Sequence, residues 1–260
     1  MSFRIRACGL SDVGLARSHN EDCFGIDAEN RLAVVADGMG GHSHGEVASR
    51  IAVQSIHDTV SKTAHQETAR QEDLLADGNG SKDEAHSRVL AEAMRRAHQQ
   101  VLGAIREDGS LYGMGTTVVG FLLQGDKAVV AHVGDSRAYR VHRDRLELLT
   151  QDHTWVNEQV VAGFLSAEQA RVHPLKNVIT RALGGESDVI VDTREIVVEE
   201  GDLYLLCSDG LTTMLNDGDI HSAVDLDAGL ESTCRSLVQA ANSRGGLDNV
   251  TVVLVAIEKS

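Results

Sequence analysis

Residues 32–45 read Leu-Ala-Val-Val-Ala-Asp-Gly-Met-Gly-Gly-His-Ser-His-Gly. The run from Leu32 to Ala36 is short, apolar and rich in Val, which predicts a buried strand. It ends on Asp37, and a glycine-rich turn then leads into a helical pattern that begins near Gly45. A carboxylate beside uncovered backbone suits a hard cation, which takes a side-chain oxygen and a neighbouring carbonyl as ligands. An ordinary strand–turn–helix connection also uses Asp and Gly, so this stretch alone leaves both interpretations open.

The composition limits the classes of function. The 260 residues carry a net charge of −15, which argues against nucleic acid or an anionic membrane as a partner. Residues 3–8 alternate like a strand and not like a signal peptide, and no apolar run approaches the length of a membrane span. The four cysteines lie far apart, which favours reduced thiols. We therefore expect a soluble, cytoplasmic protein.

The hydrophobic pattern changes its period along the chain. Residues 46–62 and 84–107 have helical periodicity, and the polar residues 65–84 between them are expected to form a surface loop. From residue 113 onward the pattern is that of short strands joined by tight turns, which implies antiparallel pairing. Ser166 followed by Gln169 predicts a capped helix start. Two long helices and many short strands indicate an α+β layered domain. The predicted strands and the later helix are 116–123, 128–133, 137–141, 146–149, 190–198, 203–207, 227–242 (the helix) and 250–257.

Four aspartates stand beside strand ends: Asp37, Asp135, Asp209 and Asp248. If the strands stack in one sandwich, their ends can converge and bring these like charges together. Such a cluster is unfavourable unless cations lie between the carboxylates. Ligands that are all oxygen favour Mg²⁺ or Mn²⁺ over Zn²⁺. Two such ions can hold a water between them, lower its pKa and direct it at a phosphorus atom.

Six segments together resemble the metal-dependent protein serine/threonine phosphatases of the protein phosphatase 2C family, in their compact bacterial branch. They appear in the family's order and span nearly the whole chain. The resemblance implies one catalytic domain over residues 1–260, built as a central sandwich of two antiparallel sheets with helices on both sides (α-β-β-α). It also implies a dimetal site at one end of the sandwich. The matching segments are Ser11–Asp22, Val34–Gly45, Gly113–Thr117, Val133–Arg140, Leu205–Leu211 and Asp248–Val252.

The resemblance implies roles for individual residues in binding two Mn²⁺ or Mg²⁺ ions. Asp37 resembles the ligand that bridges both ions, and Gly38 supplies a carbonyl oxygen. Asp209 and Asp248 resemble the other principal ligands. The acidic pair Glu21 and Asp22 resembles the residues that bind metal directly or through water.

The resemblance extends to the substrate and to a third, weaker metal ion. Arg17 resembles the clamp that holds the substrate phosphate, and Asp135 resembles a ligand of the third ion. Residues 152–185 take the place of a mobile flap over that ion, with Ser166 as a further candidate contact. The animal enzymes carry a His directly after the Asp-Gly pair as proposed general acid. This chain has Met39 there. His42, in the glycine-rich turn, is a candidate for the acid, and the alternative is a structural role near the start of the helix.

These roles imply hydrolysis of phosphoserine and phosphothreonine in proteins by direct attack of the metal-bridging water, without a phosphoenzyme. The implied partners are phosphorylated substrate proteins and a bacterial Ser/Thr protein kinase whose signalling the enzyme reverses, and a monomer is expected. One alternative is a catalytically silent protein of this fold that binds phosphoproteins or kinases as a regulator. By chemistry alone, a metal-dependent phosphodiesterase is another.

Overall fold

The computed structural model describes residues 3–40, 44–73, 83–225 and 227–259. Within these residues, strands and helices follow one another in the order that the sequence predicts, with some additions. The strands are β1 Phe3–Asp12, β2 Asp22–Asp27, β3 Leu32–Met39, β4 Gly115–Thr116, β5 Val118–Gln124, β6 Lys127–Val133, β7 Arg137–His142, β8 Arg145–Leu148, β9 Asp192–Val197, β10 Leu203–Cys207 and β11 Val250–Lys259. The helices are α1 Gly45–Asp73, α2 Asp83–Glu107, α3 Trp155–Val161, α4 Ala167–Val172, α5 Asp209–Thr212, α6 Asp217–Ala223 and α7 Leu230–Ser243.

The strands form two antiparallel sheets. One has the order β1-β11-β10-β7-β8, and the other has the order β2-β3-β5-β6-β9, with the short β4 paired to β3. The two sheets face each other across a core that includes Val35, Phe121, Tyr204 and Val253. The rings of Phe121 and Tyr204 pack 4.7 Å apart between their centroids. This core excludes water from both inner faces, which is the main stabilising contribution of the sandwich.

Helices cover the outer face of each sheet. Ile56 of α1 and Met94 of α2 pack on the outer face of the second sheet. Leu237 of α7 and Ile220 of α6 pack on the outer face of the first sheet. The predicted α-β-β-α arrangement is therefore confirmed. In the described part of the chain, none of the helices combines the length and the apolar character that crossing a bilayer requires.

The register of the strands brings the acidic residues to one end of the sandwich. Asp22 at the start of β2 pairs with Asp37 near the end of β3. Asp209 follows the end of β10, and Asp248 precedes the start of β11, the strand that pairs with β10. Asp135 lies in the turn between β6 and β7. Antiparallel neighbours alternate direction, so a strand end and the next strand's start meet at the same edge.

Three predictions about local structure are wrong. Helix α1 continues to Asp73 instead of ending near residue 62, because residues 63–73 are rich in Ala, Gln, Glu and Arg, which favour helix even without an apolar face. The predicted loop 65–84 is thus helical over much of its length, and residues 74–82 lie outside the described part. Strand β2 and the short helices α5 and α6 had not been expected.

Candidate metal and phosphate site

The site is built around Asp37. Its backbone N–H donates to the Thr117 hydroxyl at 3.3 Å, and its carbonyl accepts from the Thr116 hydroxyl at 2.8 Å. The N–H of Thr117 also donates to the Asp37 carbonyl at 2.9 Å. Both threonines are fully buried. These bonds satisfy the backbone of β3 at the point where its pairing passes from β5 to β4, and they hold the backbone from which the Asp37 carboxylate extends.

Ser208 joins the two sheets at this end. Its hydroxyl donates to Asp22 Oδ2 at 2.8 Å and accepts from the N–H of Thr251 at 3.0 Å. Asp209 follows directly, and its carboxyl lies within hydrogen-bonding reach of the Asp37 carboxyl. The carboxylates from the two sheets therefore meet across the sandwich end.

Gly38 is required by a close approach of three backbone segments. A Cβ atom at this position would stand 2.1 Å from the carbonyl oxygen of Gly45 and 2.5 Å from that of Glu21. The Gly38 N–H donates to the same Glu21 carbonyl at 3.2 Å. The glycine thus lets the chain bring Glu21, the start of α1 and the end of β3 together.

Asn249 holds the loop that carries Arg17 and Glu21. Its side chain accepts from the Glu21 N–H at 2.8 Å and donates to the carbonyls of Val13 and His19, each at 2.9 Å. It is 5% exposed. Sequence reasoning did not assign it this role, although its place directly after Asp248 at the start of a strand was a usable signal.

We expect Asn249→Ala to lower the free energy of unfolding by roughly 2–4 kcal/mol, because three hydrogen bonds of a buried side chain are lost. Turnover should fall as well, since the loop with Arg17 is released. Thermal unfolding and phosphate release measure the two effects. Asn30→Ala, which removes a side-chain bond to Asp27 at the other end of the sandwich, is the control. A variant with wild-type melting temperature and turnover would contradict the assignment.

Without cations, burial and mutual repulsion make the ionised form of the cluster's carboxylates unfavourable. Burial, together with the charges of Asp22, Asp209 and further aspartates, raises the pKa of Asp37 well above its usual range. Burial and then the charge of Asp248 raise the pKa of Asp209. Buried oxygens without a hydrogen-bond partner remain at Asp22 Oδ1 and Asp135 Oδ1. An oxygen-rich set with unsatisfied buried carboxylates fits hard divalent cations such as Mg²⁺ and Mn²⁺.

Arg17 stands at the edge of this cluster. Its Nη2 lies 2.8 Å from Asp248 Oδ2, and half of its side chain is exposed. The guanidinium therefore borders both the carboxylates and solvent, where a phosphate would enter. Its planar fork matches the geometry of phosphate oxygens.

Asp135 points toward the same end of the sandwich and is 7% exposed. Burial is the main cause that raises its pKa to about 7, and the charge of Asp209 adds to it. Arg137 makes a two-pronged bond with Asp152 at 2.8 and 2.6 Å. Arg137 is thus engaged by Asp152 and, in the described part of the chain, forms no ion pair with Asp135.

The remaining two candidates are Ser166 and His42. The Ser166 hydroxyl accepts from the N–H of Gln169 at 3.2 Å, and the Gln169 side chain accepts from the Ser166 N–H at 2.8 Å. This confirms the predicted capping box at the start of α4, while a metal contact by Ser166 stays a prediction. His42 lies outside the described residues, and its role as general acid likewise stays a prediction.

A groove of about 530 Å³ opens beside Asp135 and Asp209. One wall comes from the predicted flap, residues 152–185, and the other from α5 and the residues that follow it. Lys176 and Arg244 are among the lining residues. Arg244 is paired with Asp219, so Lys176 is, of these two, the lining cation that could bind a phosphate oxygen here.

The pKa of Asp22 predicts a pH dependence of stability in the metal-free protein. Burial raises it to about 7, hydrogen bonds from Thr251 and Ser208 oppose this, and the charges of Asp209 and Asp248 add to it. Between its ordinary value of about 4 and about 7, the folded state binds more protons at this site than the unfolded state, so the site's contribution to stability falls as pH rises.

Asp22→Asn replaces the carboxyl group that binds this proton with an amide that does not titrate. We expect the melting temperature of metal-free Asp22→Asn, relative to wild type, to rise between about pH 4 and pH 7 and to level off above that range. Calorimetric scans in a chelator measure the difference, and Asp126→Asn in the exposed β5–β6 turn serves as control. A difference that does not change with pH would contradict the assigned pKa.

The structure thus has a carboxylate cluster at one end of a two-sheet sandwich with helices outside. The family model for protein phosphatase 2C matches residues 16–249. The serine/threonine phosphatase stp of Listeria innocua is 36% identical over 249 residues, covering 94% of this chain and 93% of that protein. The phosphatase PstP/Ppp of Mycobacterium tuberculosis superposes with a TM-score of 0.85 at 33% identity, covering 98% of this chain and 99% of that one.

The chain belongs to the protein phosphatase 2C family, and it is a metal-dependent protein serine/threonine phosphatase. A structure of the PstP catalytic domain in complex with two manganese ions matches with a TM-score of 0.80 at 31% identity, covering 99% of this chain and all of that one. Dependence on divalent metal follows for this chain.

Proposed function

We propose that the carboxylate cluster binds two Mn²⁺ or Mg²⁺ ions and that these serve direct hydrolysis of phosphoserine and phosphothreonine. Asp37, the Gly38 carbonyl, Asp209 and Asp248 would hold the ions, with Glu21 and Asp22 as the adjoining acidic pair. The observation that carries the proposal is the meeting of these aspartates at one sandwich end, with the buried Asp22 Oδ1 left without a partner. Two Mn²⁺ ions in the related PstP structure support the count.

When bound, divalent ions lower the pKa of water and neutralise charge on phosphoryl oxygens. The chain's own residues position the reaction. Asp37 is fixed by Thr116 and Thr117, while Arg17 at the solvent edge binds and orients the phosphate. A direct attack by water, without a phosphoenzyme, is supported by two neighbours of the cluster. Ser208 is fully buried, so its hydroxyl is not open to a substrate phosphate, and the buried Cys207 thiol has a pKa raised to about 12, chiefly by burial.

Arg17→Ala should raise KM more than it lowers kcat. A guanidinium that holds the phosphate in both the ground state and the transition state contributes largely uniform binding. Arg17→Lys, which keeps the charge but not the planar fork, should lie between wild type and Ala. Steady-state kinetics on a phosphothreonine peptide measure the two constants. A large loss of kcat with unchanged KM would show instead that Arg17 acts chiefly on the transition state.

The partners remain part of the proposal. A Ser/Thr protein kinase and its targets, a cytoplasmic location and a monomeric state are expected from the sequence and its resemblance. A silent regulator would have no need for this much buried negative charge. Every carboxylate that the resemblance assigns as a metal ligand is present among the described residues, which supports catalysis.

Phosphate release from a phosphothreonine peptide, compared with hydrolysis of a cyclic dinucleotide, tests the reaction class. We expect Mn²⁺-dependent release from the peptide and none from the dinucleotide. Faster cleavage of the dinucleotide would favour the phosphodiesterase alternative, and no turnover of either would favour the silent regulator.

A further inference from the structure

His153 forms two hydrogen bonds with Gly134, the residue that precedes Asp135 in the turn. The N–H of His153 donates to the Gly134 carbonyl at 2.9 Å, and the Gly134 N–H donates to His153 Nδ1 at 3.1 Å. The His153 side chain is almost fully buried, and its ring stacks on that of His132 with 4.6 Å between the centroids. One histidine thus satisfies both backbone groups of the residue that precedes Asp135.

The other ring nitrogen of His153 faces the far end of the flap. Nε2 lies 3.2 Å from Asp192 Oδ2 and 3.3 Å from Arg181 Nη1. Arg181 Nη1 also lies 3.2 Å from Asp192 Oδ1. In addition, the Thr180 N–H donates to the His153 carbonyl at 2.8 Å. His153 lies near the start of the segment 152–185. It contacts Thr180 and Arg181 near the end of that segment, and Asp192 beyond it.

These contacts fix the tautomer of His153. A neutral imidazole carries one N–H, and Nδ1 already accepts from Gly134, so the proton is on Nε2 and is donated to Asp192. Burial and then the neighbouring His132 lower the pKa of His153, which favours the neutral ring. The Nε2–H donor and the Nδ1 acceptor of His153 therefore both have partners.

The same tautomer argues against a metal at this place, although His132, His153 and Asp192 offer ligand atoms within 4.8 Å of one another. With its proton on Nε2, His153 has no lone pair left to bind an ion there. The guanidinium of Arg181 already supplies the positive charge beside Asp192. The cluster is a hydrogen-bonded chain from Gly134 to Asp192.

Contacts with Thr117 also restrict the turn that carries Asp135. Gly134 has a φ of +106°, and a Cβ atom there would stand 2.6 Å from the Thr117 side chain. Ser136, on the other side of Asp135, shares a hydroxyl hydrogen bond of 2.6 Å with Thr117. The position of Asp135 is therefore set by Thr117 from one side and by His153 from the other.

We propose that His153 is a positioning residue that acts through Gly134 to set the Asp135 carboxylate, and that it couples this carboxylate to the flap end through Asp192 and Arg181. The proposal rests on the proposed function and on the third, weaker ion that the resemblance assigns to Asp135. His153 itself touches neither substrate nor metal.

Two substitutions separate the two ends of the ring. His153→Asn keeps an acceptor near the Nδ1 position and loses the donor, whereas His153→Gln keeps a donor near Nε2 and loses the acceptor. We expect His153→Gln to raise the Mn²⁺ concentration that fills the weak site about 10-fold or more, the usual size of an outer hydrogen bond's effect on metal affinity. His153→Asn should stay closer to wild type. Calorimetric titration measures this Mn²⁺ concentration and does not depend on turnover.

The matched control is His132→Phe, compared with His153→Phe. Both rings are buried in the same stack, but within the described residues the side chain of His132 bonds through Nε2, to the Gln151 carbonyl at 2.8 Å. We expect both to lower thermal stability and only His153→Phe to weaken the third ion. Equal effects on metal binding would assign His153 a merely structural role and overturn the proposal.

A double-mutant cycle decides whether His153 acts through Asp135. In an Asp135→Ala background, His153→Gln should no longer alter Mn²⁺ binding. An undiminished effect would overturn the proposal. If the variants fail to fold, long-range ¹H–¹⁵N spectra of the wild-type ring still test it, because a proton on Nδ1 excludes the bond from Gly134. Failure of the proposed function would look different, since the wild type itself would then release no phosphate with Mn²⁺.

Discussion

Asp37→Asn, Asp209→Asn and Asp248→Asn are each expected to lower turnover by about 10³-fold or more while the fold persists. Each change removes a charged ligand from the cluster, and the electrostatic stabilisation that a catalytic ion supplies is several kcal/mol. Asn keeps the shape of the side chain and one acceptor oxygen, so packing is preserved. Phosphate release at saturating Mn²⁺ measures the loss.

Asp37→Asn and Asp209→Asn should also raise the melting temperature of the metal-free protein. In the absence of cations, burial and mutual repulsion disfavour the ionised carboxylates of Asp37 and Asp209. Asp126→Asn, in the exposed turn at the other end of the sandwich, is the control and should change neither property. Near-normal turnover of Asp209→Asn with Mn²⁺ would show that the dimetal assignment is wrong.

Asp135→Ala is expected to have the second-largest effect. It should leave the two principal ions in place, lower turnover by roughly 10- to 100-fold and remove the part of the activity that needs high metal concentration. A carboxylate with a buried, unpartnered Oδ1 near Asp209 offers one strong ligand but not a full cage. An ion there would keep most of its water and bind loosely.

Calorimetry counts the ions directly. The Asp135→Ala variant should bind one Mn²⁺ fewer than wild type, whereas Asp152→Asn, which disturbs the neighbouring pair with Arg137, should keep the count. A variant that binds the wild-type number of ions would leave Asp135 with a structural role only.

Much of the fold followed from local pattern. The Val-rich run that ends on Asp37 forms the buried strand β3 between β2 and β5, and the short turn between Gln124 and Lys127 forms the expected antiparallel pair. Strand β2 was missed because its sequence, Asp-Cys-Phe-Gly-Ile-Asp, alternates weakly and contains a glycine. That glycine lies close to the Val53 side chain of α1, a tertiary contact that no local pattern contains.

The site was predictable in its ligands and less so in its supports. Aspartates next to strand ends are visible in sequence, and the sandwich brings them together because antiparallel strands start and end at a common edge. The supporting bonds join residues far apart in the chain, such as Ser208 with Asp22 and Asn249 with Glu21. Their partners depend on register between elements, which spacing along the sequence does not reveal. The pairing of Arg137 with Asp152 was missed for the same reason.

Release of phosphate from a phosphothreonine peptide by chelator-treated protein, before and after Mn²⁺ is returned, tests the metal-dependent reaction most directly. We predict no release in the chelator and full recovery when Mn²⁺ is added to wild type, with no recovery in Asp209→Asn. Phosphate release that continues unchanged in the chelator would contradict a reaction that depends on ions held by the carboxylate cluster.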